Sequence, residues 1–217
     1  MKPLKWTAIV LLLALSVGAG FLAGRNFRPP PSYLREMALS IQAMAKAPGP
    51  FIAVIGDSLT ERAKLPATVC GIQLVNAGFG GSRASNFIPF AEEMTALDLV
   101  PALVVIALGL NDARKGYRTD FRSTYRLLLE TLPKSPVVLA TLAPVDRAFD
   151  TGAILDPARL SMVDLTIREI AKARNLPLID LSDVQSPTSD GVHPIDYGSW
   201  SAAMVAGIER EFCRRAR

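Results

Sequence analysis

The sequence predicts an α/β protein built on a doubly wound sheet of five parallel strands. Three observations lead there. From Phe51 onward, short apolar runs alternate with helical patterns. The runs are almost continuously apolar rather than alternating, as expected of parallel strands covered on both faces. The polar clusters follow the strands, and in such sheets the ligand crevice lies beyond the strands' carboxyl ends.

The elements follow in order. Residues 7–23, TAIVLLLALSVGAGFLA, carry no charge and sit between Lys2 and Lys5 on one side and Arg25 and Arg28 on the other. A helix of that length spans about 26 Å, close to the ~30 Å of a bilayer's hydrocarbon. Residues 1–28 are therefore expected to be a membrane anchor or a signal sequence. The run exceeds a typical signal core, and Val17, Gly18 and Ala19 make a weak cleavage site, which favours the anchor. A short basic N-terminus retained inside would place the rest outside the cytoplasm, inner-membrane anchored or secreted and periplasmic. Those four basic residues account for the net charge of +4, so the remainder is formally neutral and no nucleic-acid groove is expected.

RPPPS at 28–32 reads as a stiff spacer and PGP at 48–50 ends the helical pattern between them, giving a linker and short helix over residues 29–50. The main domain, 51–217, has expected strands at 51–55, 72–76, 103–108, 136–141 and 176–180. Phe121, Tyr125, Leu128, Leu129 and Leu132 share one helical face, as do Leu160, Val163, Ile167, Ile170 and Ala171. Asp156-Pro157 is a favoured opening for the second of these helices. Trp200, Ala203, Met204, Ile208 and Phe212 mark a final helix.

Four polar segments follow strands: GDS at 56–58, NAGFGGS at 76–82, GLNDARKG at 109–116 and SDGVHP at 189–194. Ser58 begins an S-x-x-E capping box with Glu61. A serine at a strand-to-helix turn is equally suited to be a nucleophile, exposed at the sheet edge with its own N–H at the helix start. A serine hydroxyl needs a base, and His193 is the chain's one histidine. Asp190, three residues earlier, can reach its imidazole across a turn. Gly81, in a loop that permits close approach, and the Asn111 amide are candidate donors to an oxyanion, alternatives to plain turn roles.

GDSLT, the glycine after NAGFG, GLND and DGVHP resemble, in order and spacing, the four sequence blocks of the SGNH/GDSL hydrolases, over residues 51 to about 210. The resemblance implies a three-layer α/β/α sandwich, flavodoxin-like, around the five-stranded parallel sheet. It implies hydrolysis of esters or thioesters without metal or cofactor. It makes Ser58 the nucleophile, His193 the base, Asp190 its partner, and Ser58 N–H, Gly81 and Asn111 the oxyanion hole. The substrate would be a small-molecule, lipid or glycan ester. An O-acyltransferase or O-acetylesterase acting on polysaccharide, and a non-catalytic tethered binding module, are the alternatives.

Two departures stand out. Leu110 is bulkier than the residue usual in its block. Ser82-Arg83 replace Asp-Thr after Gly81, which leaves Gly80 open as the donor. Arg83 thereby sits near the mouth, to meet an anionic group or lie solvated. The loop at 142–156 is expected to shape specificity. Cys70 and Cys213 both fall at the sheet edge opposite the site, where an oxidising compartment would allow a disulfide.

Overall fold

The computed structural model describes residues 32–213, which from Tyr33 onward form one compact unit. The apolar stretch at 7–23 and the expected 1–28 segment lie outside the described residues. Among the described residues no helix is long and apolar enough to cross a membrane.

Helix α1 (Ser32–Ala45) belongs to the packed fold. Met37, Ile41 and Met44, at i, i+4 and i+7, enter the core. Strand β1 (Phe51–Gly56) follows, buried at all six residues. It is central in a sheet ordered β2–β3–β1–β4–β5–β6, with β2 at Thr68–Val69, β3 at Ile72–Gly78, β4 at Leu103–Ala107, β5 at Val137–Ala140 and β6 at Leu178–Ile179.

The five expected strands are present and mutually parallel, but the sheet has six strands rather than five. The addition is β2, an antiparallel edge paired to β3. Two residues are too few to show a hydrophobic period. Its turn is Cys70-Gly71, with φ of +54° and +78°. Positive φ at both loop residues marks a type I′ hairpin, here written without the familiar Asn-Gly.

Alternate β1 residues face opposite layers. Ala53 and Ile55 pack with α1, α3 (Phe87–Ala96), α4 (Phe121–Thr131) and α6 (Pro157–Ala173). Ile52 and Val54 pack with Leu59 of α2 (Ser58–Arg62) and with Trp200, Met204 and Ile208 of α7 (Gly198–Ile208). The result is the three-layer α/β/α sandwich. Asp156 caps α6, its carboxylate accepting from the Arg159 N–H at 3.1 Å, with Pro157 opening the helix.

The chain leaves β1 for β3 on one side and later enters β4 on the other. Gly56 is thus level with Gly78 and Ala107 at the switch point, where a crevice opens. At the far edge α7 runs into a π-helical turn, Glu209–Cys213. Cys213 is joined there to Cys70 by a disulfide, with Cα atoms 6.2 Å apart.

Candidate active site

The site begins where β1 stops. A Cβ on Gly56 would lie 1.9 Å from Thr60 Oγ1, so only glycine lets α2 fold back so tightly over the strand end. Asp57, in extended conformation, is the N-cap: its Oδ1 accepts the Leu59 N–H at 3.0 Å. Ser58 is therefore the first helical residue and not the cap. Asp and Ser cap comparably well, and the carboxylate one position earlier takes the bond. Glu61 does not complete a capping box either; its Oε1 accepts the Gly80 N–H at 3.2 Å.

Freed from capping, the Ser58 hydroxyl lies 2.8 Å from His193 Nε2. His193 Nδ1 lies 2.6 Å from Asp190 Oδ2. The other carboxylate oxygen of Asp190 accepts the N–H groups of Val192 at 3.0 Å and His193 at 2.8 Å. Burial alone would raise the Asp190 pKa, but the His193 N–H, its imidazole and the Val192 N–H together hold it well below the usual carboxylate range. An ionised Asp190 can only accept, so Nδ1 carries the proton and Nε2 is left to accept from Ser58 O–H.

The loop at 142–156, which includes α5 (Asp150–Ala153), braces this turn. Asp146 N–H donates to the Gly191 carbonyl at 2.8 Å, and Gly152 N–H to that of Asp190 at 3.1 Å.

Opposite stands the Phe79–Ser82 turn, closed by Ser82 N–H to the Phe79 carbonyl. Gly81 has φ +73°, the value a type II turn demands at its third residue. Phe79 anchors the turn, stacked 5.2 Å from Phe87 and edge-on 5.7 Å from Phe90. Asn111 Nδ2 donates to the Ser82 carbonyl at 3.1 Å, which joins the Gly81 turn to the loop after β4. Ser58, Gly80, Gly81, Asn111 and His193 line one cleft of about 360 Å³. Asp190 stands behind His193, so Ser58, Gly81, Asn111, Asp190 and His193, the five singled out from sequence, are brought together.

Several positioning residues were not read from sequence. Asn76 donates to the Thr60 carbonyl at 2.7 Å and accepts the Gly78 N–H at 2.9 Å, tying α2 to β3. Asp112 is buried and accepts the Ala84 N–H at 3.2 Å. Burial pushes its pKa up to about 6 against the Ala84 bond and the charges of Arg83 and Arg159. Arg159 Nε and Nη2 hold the Asp112 carbonyl from outside, at 3.2 and 3.1 Å. A polar side chain closing an apolar run was the one available signal. Arg83 is half-buried and does not line the cleft. Its Nε donates to the Asn111 carbonyl at 3.3 Å, and its guanidinium stacks 3.9 Å from the centre of the Tyr117 ring. Among the described residues no group of three His, Cys, Asp or Glu side chains is placed to hold a metal ion.

The sequence profile of the GDSL-like Lipase/Acylhydrolase family matches residues 54–200, most of the chain and all four loops of the cleft. The chain belongs to that family. It is a GDSL-type hydrolase acting on ester bonds. Solved structures share the fold. A lipase/acylhydrolase from Enterococcus faecalis is 21% identical, with a TM-score of 0.61 over 75% of this chain and 96% of that one. A GDSL-like lipase from Bacteroides thetaiotaomicron is 23% identical, with a TM-score of 0.60 over 85% and 98%. An aryl esterase from M. smegmatis is 15% identical, with a TM-score of 0.60 over 76% and 100%. No curated protein sequence matches the chain.

Proposed function

We propose that this GDSL hydrolase cleaves carboxylic esters or thioesters through a Ser58–His193–Asp190 triad and an acyl-enzyme. His193 Nε2 takes the Ser58 proton as Oγ attacks the carbonyl carbon, then gives it to the leaving alcohol or thiol as the tetrahedral intermediate collapses. A water, deprotonated by the same nitrogen, releases the acid and restores Ser58. Asp190 stays ionised, fixes the tautomer and stabilises the imidazolium.

The oxyanion sits among the N–H groups of Ser58 and Gly81 and the second N–H of the Asn111 amide. Among the described residues none of the three has another acceptor. One such donor is worth on the order of 10²–10³ in kcat. Gly80 is a weaker candidate than Gly81, because its N–H is already spent on Glu61.

The observation that carries this reading is the 2.8 Å approach of Ser58 Oγ to His193 Nε2, backed by Asp190 at 2.6 Å. A tethered binding module has no use for that alignment. The uncharged stretch at 7–23 and the Cys70–Cys213 bond support a membrane-tethered, extracytoplasmic placement. A fluorophosphonate probe tests the chemistry: the wild-type chain is labelled and Ser58→Ala is not. Equal labelling of both would remove Ser58 from the mechanism.

A further inference from the structure

The cleft carries a charge asymmetry that the hydrolytic machinery does not use. Besides the catalytic groups it is lined by Arg62 and Arg114, and by the apolar Leu110, Ile154, Leu155 and Val192. No carboxylate is among the lining residues. The nearby acids do not line it: Glu61 is held by the Gly80 N–H, Asp190 lies behind His193, and Asp57 and Asp112 are buried. Arg62 lies four residues after Ser58 on α2, on the same side of the helix. Its charge is near Tyr197, whose phenol burial raises and Arg62 partly lowers.

Arg114 follows the 3₁₀ turn Asn111–Ala113, and its backbone bridges to Leu155 of the opposite wall. Both side chains are exposed, and neither forms an ion pair with a carboxylate among the described residues. Elsewhere Arg122, Arg168, Arg174 and Arg210 each hold one.

We infer that Arg62 and Arg114 select ester substrates bearing an oxyanionic group, a carboxylate or a phosphate, close to the scissile bond. The inference rests on the hydrolase reading above and names its substrate class. Two guanidiniums on one rim, neither paired with a carboxylate among the described residues, present a positive field, and low-dielectric walls focus it on the cleft. Guanidinium forks match carboxylate and phosphate oxygens in shape as well as charge. The apolar wall takes the uncharged part of the molecule.

The test compares paired esters that differ in charge. On the acyl side, p-nitrophenyl hemisuccinate is set against p-nitrophenyl butyrate. On the alcohol side, lauroyl lysophosphatidic acid is set against monolauroylglycerol. The readout is the ratio of kcat/KM, anionic over neutral, within each pair. In wild type one pair shows a ratio well above one, which tells which side of the bond the arginines read. Arg62→Gln and Arg114→Gln each lower that ratio about tenfold, through KM, as expected for loss of a charge-assisted hydrogen bond. Arg62→Lys keeps part of it, and high salt lowers it in wild type. Ratios at or below one in both pairs, with neutral esters still cleaved and cleavage lost in Ser58→Ala, overturn the selectivity and leave the hydrolase standing. No cleavage of any ester together with no fluorophosphonate labelling overturns both.

Discussion

Two aspartates stand close to the Ser58–His193 pair, and they begin alike. Asp57 and Asp190 each turn one oxygen onto the backbone just ahead: Leu59 N–H for the first, Val192 and His193 N–H for the second. Asp57 lies one residue before Ser58, and Asp190 three before His193. Their protons nonetheless behave oppositely. Burial pushes Asp57 up to about 7, against the Leu59 bond and with help from the negative charge of Asp112. The hydrogen bonds from His193 and Val192 hold Asp190 far down despite its own burial. What differs is the surroundings: an imidazole on the second oxygen in one case, deeper burial and the charge of a second carboxylate in the other. The same local turn therefore yields a permanent charge at one place and a titrating acid at the other.

The sharpest way to break the comparison is at Asp190. Asp190→Asn leaves the backbone acceptor but removes the charge behind His193, and kcat/KM for a neutral ester falls on the order of 10³–10⁴. A loss under tenfold would mean that the carboxylate only shapes the turn. Asn111 lies on neither aspartate and gauges the oxyanion side by itself. Asn111→Ala lowers kcat about 10²–10³ with a smaller effect on KM, measured on the same ester.

Asp57→Asn has the smallest expected effect on turnover, less than about tenfold, because the amide oxygen still caps Leu59. Its signature is in stability. The folded chain holds the Asp57 proton more tightly than the unfolded chain does. That contribution is complete below the ordinary value of 3.8 and is lost as pH rises through about 7. Asp57→Asn lacks this slope, so between those limits wild type loses about 4 kcal/mol relative to the variant. Parallel Tm curves for the two proteins would show that Asp57 is ionised throughout. Asp190 has the opposite sign: its contribution is present above 3.8 and is lost only as pH falls through its depressed value.

Much of this was legible beforehand because the fold and the site use different parts of the sequence code. Unbroken apolarity in 51–55 and 103–108 announced central strands, and the register of Phe121, Tyr125 and Leu128 announced a helix. Ser58, Gly81, Asn111, Asp190 and His193 were legible because each follows a strand. Other features were not. The edge strand Thr68–Val69 is shorter than one hydrophobic period. The cap of α2 was displaced by one residue because Asp57 and Ser58 are both good caps, and only three-dimensional hydrogen bonding separates them. Arg83 could not be placed because its partner, Tyr117, stands in a loop with no pattern of its own. Arg62 and Arg114 belong to no motif, and only folding brings both to the lining of one cleft.

The bond between Cys70 and Cys213 spans 143 positions and sits as far from the chemistry as the sheet allows. It turns nearly the whole domain after α2 into a ring. A protease that nicks any loop inside that ring makes two fragments that cannot drift apart. The strand end that carries Ser58 and the turn that carries His193 stay covalently connected, so a clipped molecule can hold its fold together until a reductant cuts the clasp.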